Sequence, residues 1–245
     1  MITEKLQKVL ARIGFGSRRQ IEGWIQQGRL SINRQKATLG DRVSLNDEIR
    51  LDGRRISLKT NSQIKPQVLC YHKAAGEMCT RHDPEGRPTV FRHLPKLKQG
   101  RWIIVGRLDI NTAGLLLMTT EGELAHRLMH PSYQIEREYA VRVLGKVDDA
   151  MLKRLTSGVK LVEGQSHFEQ LIEAGGQGAN HWYHVVLTEG RHHEVRELWE
   201  SQGVQVSRLI RVRFGTILLP RGLKAGHYQA LSTDNMNSLL RQVGL

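Results

Sequence analysis

The chain lacks the sequence features that are typical of disulfide-stabilised, membrane-spanning and secreted proteins. It has only two cysteines in 245 residues, which excludes a disulfide-stabilised scaffold and favours a reducing compartment. No apolar run approaches the ~18 residues that a membrane-spanning helix needs, and the first residues lack the apolar segment of a signal peptide. We therefore expect a cytoplasmic protein with no membrane partner.

Acidic residues are outnumbered by basic ones. The chain has 37 Lys and Arg against 24 Asp and Glu, a formal net charge of +13. Residues 1–62 carry 13 basic and 6 acidic side chains, and the remaining 183 residues carry 24 and 18. A basic surface favours a polyanionic partner, most commonly nucleic acid. The uneven distribution predicts a nucleic-acid-binding N-terminal part.

Sequence motifs for common cofactors and metals are missing. The chain has no G-x-S-x-G elbow, no phosphate-binding P-loop and no dinucleotide fingerprint. Four side chains could be zinc ligands by type, but the first two lie only two residues apart, which is not the usual zinc spacing; they are Cys70, His72, Cys79 and His82. We expect no metal site among them.

Two amphipathic helices are predicted before Gly28. Ser17 and Gln20 form a capping box for the second helix. Arg18 and Arg19 then lie in its first turn, where the helix dipole disfavours cations. A phosphate bound at this helix end would explain both arginines, and a solvated basic turn is the alternative.

Short strands and turns follow the two helices. This order, with its basic residues, resembles the RNA-binding domain named after the small-subunit ribosomal protein S-four. We assign residues 1–56 to this domain, 57–66 to a polar linker and 67–245 to a second, larger domain. In the larger domain, strands and helices are interspersed without regular alternation, which predicts an α+β fold with mixed, largely antiparallel sheets.

The stretch Gly106–Gly114 lies between two apolar runs that are typical of buried strands. It contains one acid, Asp109, two residues after Arg107. In the simplest interpretation Asp109 opens an Asx-turn that Asn111 and Gly114 complete. Alternatively, a single carboxylate in an RNA-binding protein could act as a nucleophile or base at a sugar carbon.

Four ordered motifs resemble those of the ribosomal small-subunit/large-subunit pseudouridine synthase family, in which an S-four-like domain also precedes the catalytic domain. They are Gly106-Arg107-Leu108-Asp109 with Asn111-Thr112-Ala113-Gly114, Arg137-Glu138-Tyr139, Glu189-Gly190-Arg191 with Glu194-Val195-Arg196, and Arg208-Leu209-Ile210-Arg211. The stretches Asp83–Val90 and Leu128–Pro131 are most similar to family members that act on 23S ribosomal RNA.

The resemblance implies isomerisation of a uridine to pseudouridine in 23S ribosomal RNA or its large-subunit precursor. The N1–C1′ bond breaks, the base rotates, and C5 joins C1′, with no cofactor and no metal. The same resemblance leaves two alternatives, a synthase acting on 16S ribosomal RNA and a non-catalytic ribosome assembly factor. We expect a monomer with no obligatory protein partner.

The resemblance also implies roles for individual residues. Asp109 would be the essential carboxylate, attacking C1′ or removing a sugar proton. Tyr139 would stack on the extruded uracil, unless it only packs in the core, and Arg196 would pair with Asp109, unless it is a solvated helix-start arginine. The remaining residues would bind the substrate: Leu209 as an apolar wall that core packing explains equally well, Arg107 in the space of the extruded nucleotide, and Arg18, Arg19, Arg191 and Arg211 on RNA. The pair His192-His193 is a departure, since relatives usually have Asn and a basic residue there.

Overall fold

The structure is a computed structural model that describes residues 3–58 and 66–245, which group into two units. One unit contains the N-terminal residues up to 67 together with 95–103 and 120–122, and the other contains 68–94, 104–119 and 123–245. Residues 59–65 of the predicted linker lie outside the described residues. Leu58, which the sequence assigned to the linker, is buried with the N-terminal core.

The N-terminal unit is built from two helices and short strands. The side-chain oxygen of Ser17 accepts a hydrogen bond of 3.1 Å from the backbone N–H of Gln20, as the capping pattern predicts. Strands β2, β3, β5 and β6 form a sheet in the order β3-β2-β5-β6, and β1 pairs with β4. The bounds are α1 Leu6–Arg12, α2 Arg18–Gln26, β1 Glu4–Lys5, β2 Leu30–Ile32, β3 Gln35–Lys36, β4 Arg42–Val43, β5 Ile49–Leu51 and β6 Arg54–Ile56.

The larger unit is organised around a mixed sheet. Its strands are β7 Val68–Lys73, β8 Ile103–Val105, β9 Ala113–Thr119, β10 Arg137–Leu144, β13 Gln170–Gln177, β14 Asn180–Leu187, β15 Gln205–Phe214, β16 Ile217–Leu218 and β17 Tyr228–Ala230, and a separate hairpin is formed by β11 Val159–Leu161 and β12 Gly164–Ser166. The main path runs β13-β14-β10-β15-β9-β7-β17, with β16 on β15 and β8 on β9. Along this path every pair is antiparallel except β9 with β15. The predicted α+β class with a mixed, largely antiparallel sheet is confirmed.

Four helices accompany this sheet. They are α3 Gly122–Met129, α4 Asp149–Ser157, α5 Glu194–Glu200 and α6 Thr233–Gln242. Trp199 of α5 is fully buried, with its ring 4.9 Å from that of Tyr183 and 6.0 Å from that of Phe168. These aromatic contacts hold α5 to the sheet, and they set the position of the residues that begin it. Within the described part of the chain, no helix combines the length and apolarity required to cross a membrane.

Candidate active site

A buried lysine binds the backbone of the loop that carries Asp109. Lys73, at the end of β7, is fully buried. Its Nζ donates hydrogen bonds to four carbonyl oxygens, those of Ala74 at 3.1 Å, Asp109 at 2.9 Å, Ile110 at 3.1 Å and Thr112 at 2.7 Å. Burial lowers the pKa of Lys73, and nearby acidic groups oppose that shift. One ammonium therefore binds several carbonyls of the loop, in addition to the backbone N–H donors that two of them already have.

Sequence reasoning did not identify Lys73. A signal was present, because a lysine comes two residues after the apolar run 68–71 of a predicted strand. A charged side chain continuing a buried strand is rarely fully buried unless it has partners. Three of the four partners are 36 to 39 residues away in the chain, so local spacing could not show them.

The backbone of the loop leaves the Asp109 carboxylate accessible. The N–H of Thr112 donates to the Asp109 carbonyl at 3.1 Å, and the Thr112 hydroxyl donates to Asp109 Oδ2 at 3.4 Å. The Asp109 side chain remains 30% exposed. The turn thus holds the carboxylate through Thr112 rather than Asn111, and a ligand can still reach it.

Gly114, the second residue of β9, has a conformation that excludes a side chain. Its φ is +107°, and a Cβ there would lie 2.3 Å from the backbone oxygen of Arg211. The close approach occurs where β9 runs parallel to β15, with Gly114 paired to Arg211. Gly114 is therefore required for the packing of these two strands as well as for the turn.

Polar and apolar residues alternate near the end of β15, a pattern that predicts Arg211 and Arg213 on one polar face, but the structure separates them. The pairing of β10 with β15 skips Val212, so Glu138 faces Arg213 while the next residue, Tyr139, faces Arg211. This bulge puts the two arginines on opposite faces of the sheet. Arg211 is 2% exposed, and its Nε donates to the Leu115 carbonyl at 2.8 Å. The prediction that Arg211 belongs to a solvent-facing RNA surface is therefore wrong.

Tyr139 lies in a row of residues that crosses the sheet to the Asp109 loop. Tyr139 pairs with Arg211, Arg211 with Gly114, and Gly114 with Lys73. Since neighbouring strands are about 4.8 Å apart, Tyr139 and Gly114 are separated by roughly 10 Å. Tyr139 is 9% exposed and Leu209 is 3% exposed. The sheet thus brings both residues to the region of Asp109, and their contact with a uracil stays a prediction.

Arg196 has partners other than the predicted one. Arg196 lies in α5, and its guanidinium donates to the carbonyl oxygens of Val206 at 3.0 Å and Asn111 at 3.4 Å. Among the residues that the structure describes, it forms no ion pair with Asp109. The side chain that lies beside the Asp109 carboxylate is instead the imidazole of His193, whose Nε2 lies 3.4 Å from Oδ1. The predicted Arg196–Asp109 pair is therefore replaced by a backbone contact, which fastens α5 to the loop.

The two remaining candidate arginines of this unit differ in their freedom to bind RNA. Arg107 is exposed, and its guanidinium has no hydrogen-bond partner among the residues that the structure describes. Arg191 donates from Nε to Glu189 at 2.6 Å and from Nη1 to the Gln165 carbonyl at 2.9 Å. Arg107 is therefore free to bind a phosphate or to occupy a gap in the RNA. Arg191, in contrast, is already hydrogen-bonded to protein groups.

In the N-terminal unit, Arg18 and Arg19 are exposed in the first turn of α2. That turn contains no acidic residue. Burial lowers the pKa of the neighbouring Arg101, and repulsion by Arg18 lowers it further. The helix end therefore concentrates positive charge, which is the arrangement that a phosphate would relieve.

The potential metal ligands singled out from the sequence do not come together. Within residues 3–58 and 66–245, the group of His, Cys, Asp and Glu side chains that could hold an ion consists of Asp109, His192 and His193. His193-Glu194 resembles the start of a zinc-protease motif, but Glu197 stands where that motif has its second histidine, so the sequence predicts no metal site there. Asp109 is 83 residues before His192, so their proximity depends on the tertiary fold.

Comparison with known proteins agrees with this fold. The structure is similar to one described as "Crystal structure of pseudouridylate synthase", with a TM-score of 0.67 and 24% sequence identity, covering 96% of this chain and 99% of that one. The likeness shows the fold. Residues 4–49 match the S4 domain, and residues 67–201 match the family described as RNA pseudouridylate synthase.

Curated relatives cover the whole chain. "Ribosomal large subunit pseudouridine synthase B" of Yersinia pestis is 57% identical over 244 residues, which is 99% of this chain and 77% of that protein. The protein of the same name from Escherichia coli K12 is 57% identical over 246 residues, which is 100% of this chain and 84% of that protein. These matches confirm the predicted family: the chain belongs to the RNA pseudouridylate synthases and carries an N-terminal S4 domain.

Proposed function

We propose that this protein isomerises a specific uridine to pseudouridine in 23S ribosomal RNA, with Asp109 as the essential carboxylate. The observation that carries this proposal is the geometry of the Asp109 loop. Its backbone is bound by the buried ammonium of Lys73, while its carboxylate remains 30% exposed. A rigid backbone under an accessible carboxylate is what a reaction at a sugar carbon requires.

The large-subunit RNA is proposed as substrate because of the relatives. Both 57%-identical proteins described above are named for the large ribosomal subunit. The basic N-terminal unit, with the exposed Arg18 and Arg19 on α2, supplies a surface for the RNA backbone. In bacteria this substrate is cytoplasmic, and we place the protein there.

The base must leave the RNA stack before it can react. The enzyme has to reach the N1–C1′ bond and turn the uracil so that C5 faces C1′. Unstacking costs a few kcal/mol, and stacking on an aromatic side chain returns about 1–3 kcal/mol. We assign that stacking to Tyr139 and the adjoining apolar wall to Leu209. Arg107, exposed and two residues before Asp109, occupies the space that the nucleotide leaves.

Arg196 is given a positioning role. Its hydrogen bonds to the carbonyls of Val206 and Asn111 connect α5 with the loop two residues beyond Asp109. Every group assigned to the reaction comes from one chain, so we propose that the protein acts as a monomer without an obligatory protein partner. Sedimentation of the purified protein with and without RNA measures this directly.

The test maps pseudouridines in ribosomal RNA from cells lacking the protein, complemented with the wild type or with Asp109→Asn. We expect a 23S position to lose its pseudouridine, the wild type to restore it, and Asp109→Asn to bind RNA without restoring it. Asp149→Asn, in the exposed first turn of α4, is the matched control and should restore the modification. Restoration by Asp109→Asn would refute the assigned carboxylate, and loss confined to 16S RNA would refute the substrate.

A further inference from the structure

Three side chains beside the catalytic loop converge on one small volume. Asp109, His192 and His193 each present a ligand atom, and these atoms all lie within 4.8 Å of one another. The imidazoles of His192 and His193 are stacked, with ring centroids 3.8 Å apart and an angle of 25° between planes. Two imidazole nitrogens and a carboxylate oxygen are thus close together at the start of α5.

The chemistry of this set suits a divalent transition metal. Zinc takes imidazole nitrogen and carboxylate oxygen at about 2.0–2.2 Å in a tetrahedral arrangement, in which two ligand atoms are about 3.4 Å apart. The distance between His193 Nε2 and Asp109 Oδ1 is 3.4 Å. Mg²⁺ and Ca²⁺ prefer all-oxygen surroundings, so the two imidazoles disfavour them.

The exposure of the histidines bears on whether all three side chains can reach one ion. His193 has a side-chain exposure of 43%, and the longest separation within the group is under 4.8 Å. Because both imidazoles are exposed, their side chains have room to rotate toward the spacing that a shared ion requires. The backbone of Asp109 is already bound by Lys73, so one ligand is preorganised.

We propose that Asp109, His192 and His193 bind one zinc-class divalent ion, with water completing the coordination, and that this ion inhibits the enzyme by occupying the Asp109 carboxylate. The inhibitory part rests on the proposed function of Asp109, and the binding part does not. The ion is a competitor of the uridine and takes no part in the isomerisation.

The surroundings make this site exchangeable rather than structural. Arg107 is exposed near Asp109 in the chain, and the ammonium of Lys73 lies 2.9 Å from the Asp109 carbonyl. Both cations repel a metal ion bound at Asp109. Three protein ligands, of which two are exposed, provide less binding than a closed four-ligand site. The ion should therefore leave on chelation, and the fold should remain intact.

The binding test titrates the full-length protein with CoCl₂ and ZnCl₂. We expect one equivalent of Co²⁺ to bind with the visible absorption of a four-coordinate nitrogen–oxygen site, and one equivalent of Zn²⁺ to displace it. His193→Gln, His192→Gln and Asp109→Asn should each weaken binding by at least about tenfold, since even indirect supports of a metal ligand cost that much. His227→Gln is the control, because His227 is exposed and its ring contacts the Ala225 carbonyl.

A second measurement follows pseudouridine formation with added ZnCl₂, before and after chelation. We expect inhibition of the wild type that is reversed by the chelator, and a midpoint for His193→Gln at least about tenfold higher, compared with that variant's own metal-free rate. Equal binding by all variants, or no saturable binding, would overturn the site. Binding without inhibition would overturn competition at Asp109. If Asp109→Asn loses the metal yet forms pseudouridine, the site stands and the proposed function fails.

Discussion

The ammonium of Lys73 lies 2.9 Å from the backbone carbonyl oxygen of Asp109 and contacts the backbone of the loop rather than the carboxylate. A buried cation therefore fixes the peptide that carries the proposed catalytic group. The carboxylate itself has its contacts with Thr112 and His193. This division allows the loop to be rigid while the reactive oxygens remain accessible.

Replacing Lys73 with Met should destabilise the fold and lower activity. The variant keeps the length of the side chain but removes a donor shared by four carbonyls, of which at least those of Asp109 and Ile110 retain a backbone N–H donor. Each buried group that stays unsatisfied costs about 1–3 kcal/mol. We expect the free energy of unfolding to fall by about 3 kcal/mol, measured by urea denaturation. Lys224→Met, at an exposed lysine, is the control. Unchanged stability of Lys73→Met would contradict the role given to its hydrogen bonds.

Substitutions of Tyr139 distinguish stacking on the uracil from packing in the protein core. If Tyr139 stacks on uracil, Tyr139→Phe should keep most of kcat/KM, and Tyr139→Leu should lose roughly 5- to 150-fold, which corresponds to about 1–3 kcal/mol of stacking. Single-turnover kinetics on a ribosomal RNA fragment measure this, with thermal denaturation recorded for both variants. Full activity in a stably folded Tyr139→Leu protein would show that the ring serves packing alone.

Arg18 and Arg19 should contribute to RNA affinity through phosphate contacts. Changing both to Ala should weaken binding and reduce the slope of log K against log salt by up to about two counterions. Filter binding at several salt concentrations gives the slope. Arg29→Ala is a suitable control, because Asp52 already pairs with Arg29 at 2.9 and 2.6 Å. The same slope in the double variant and the wild type would refute the phosphate site.

Glu138 should make stability dependent on pH in the acid range. Burial raises the pKa of Glu138, but hydrogen bonds from Arg213 and His184 outweigh it, and the net pKa lies below its ordinary value of 4.5. The stabilisation is therefore complete above pH 4.5 and is lost as pH falls through the lowered pKa of the folded state. Denaturation measured across this range should give a shallower pH dependence for Glu138→Gln than for the wild type. The exposed Glu163, changed to Gln, should leave that dependence as it is.

Part of the site could be predicted because it is encoded locally. The helix start at Ser17 follows from a side chain and an N–H three residues apart, and the loop around Asp109 follows from two apolar runs separated by turn residues. The order of four motifs was enough to indicate the family, since each motif is a short stretch of sequence.

The partners of those residues could not be predicted in the same way. Arg211 is buried because a bulge at Val212 breaks the alternation of β15, and alternation read from one strand carries no information about its neighbour's register. Arg196 was expected on Asp109, but His193 lies there instead. Which side chain of a helix start reaches a distant loop depends on how that helix packs on the sheet.

The amino-acid sequence by itself determined the two kinds of unit, the basic N-terminal surface, the strand–loop–strand around Asp109 and the family. Only the tertiary structure decided what surrounds Asp109. The order of the strands brings Lys73, Gly114 and Arg211 side by side, and the packing of Trp199 places His193 at the carboxylate. Periodicity and turn chemistry act between near neighbours in the chain. The pairs Lys73–Gly114, Gly114–Arg211 and Asp109–His193 are 41, 97 and 84 positions apart, and only a folded sheet can bring them together.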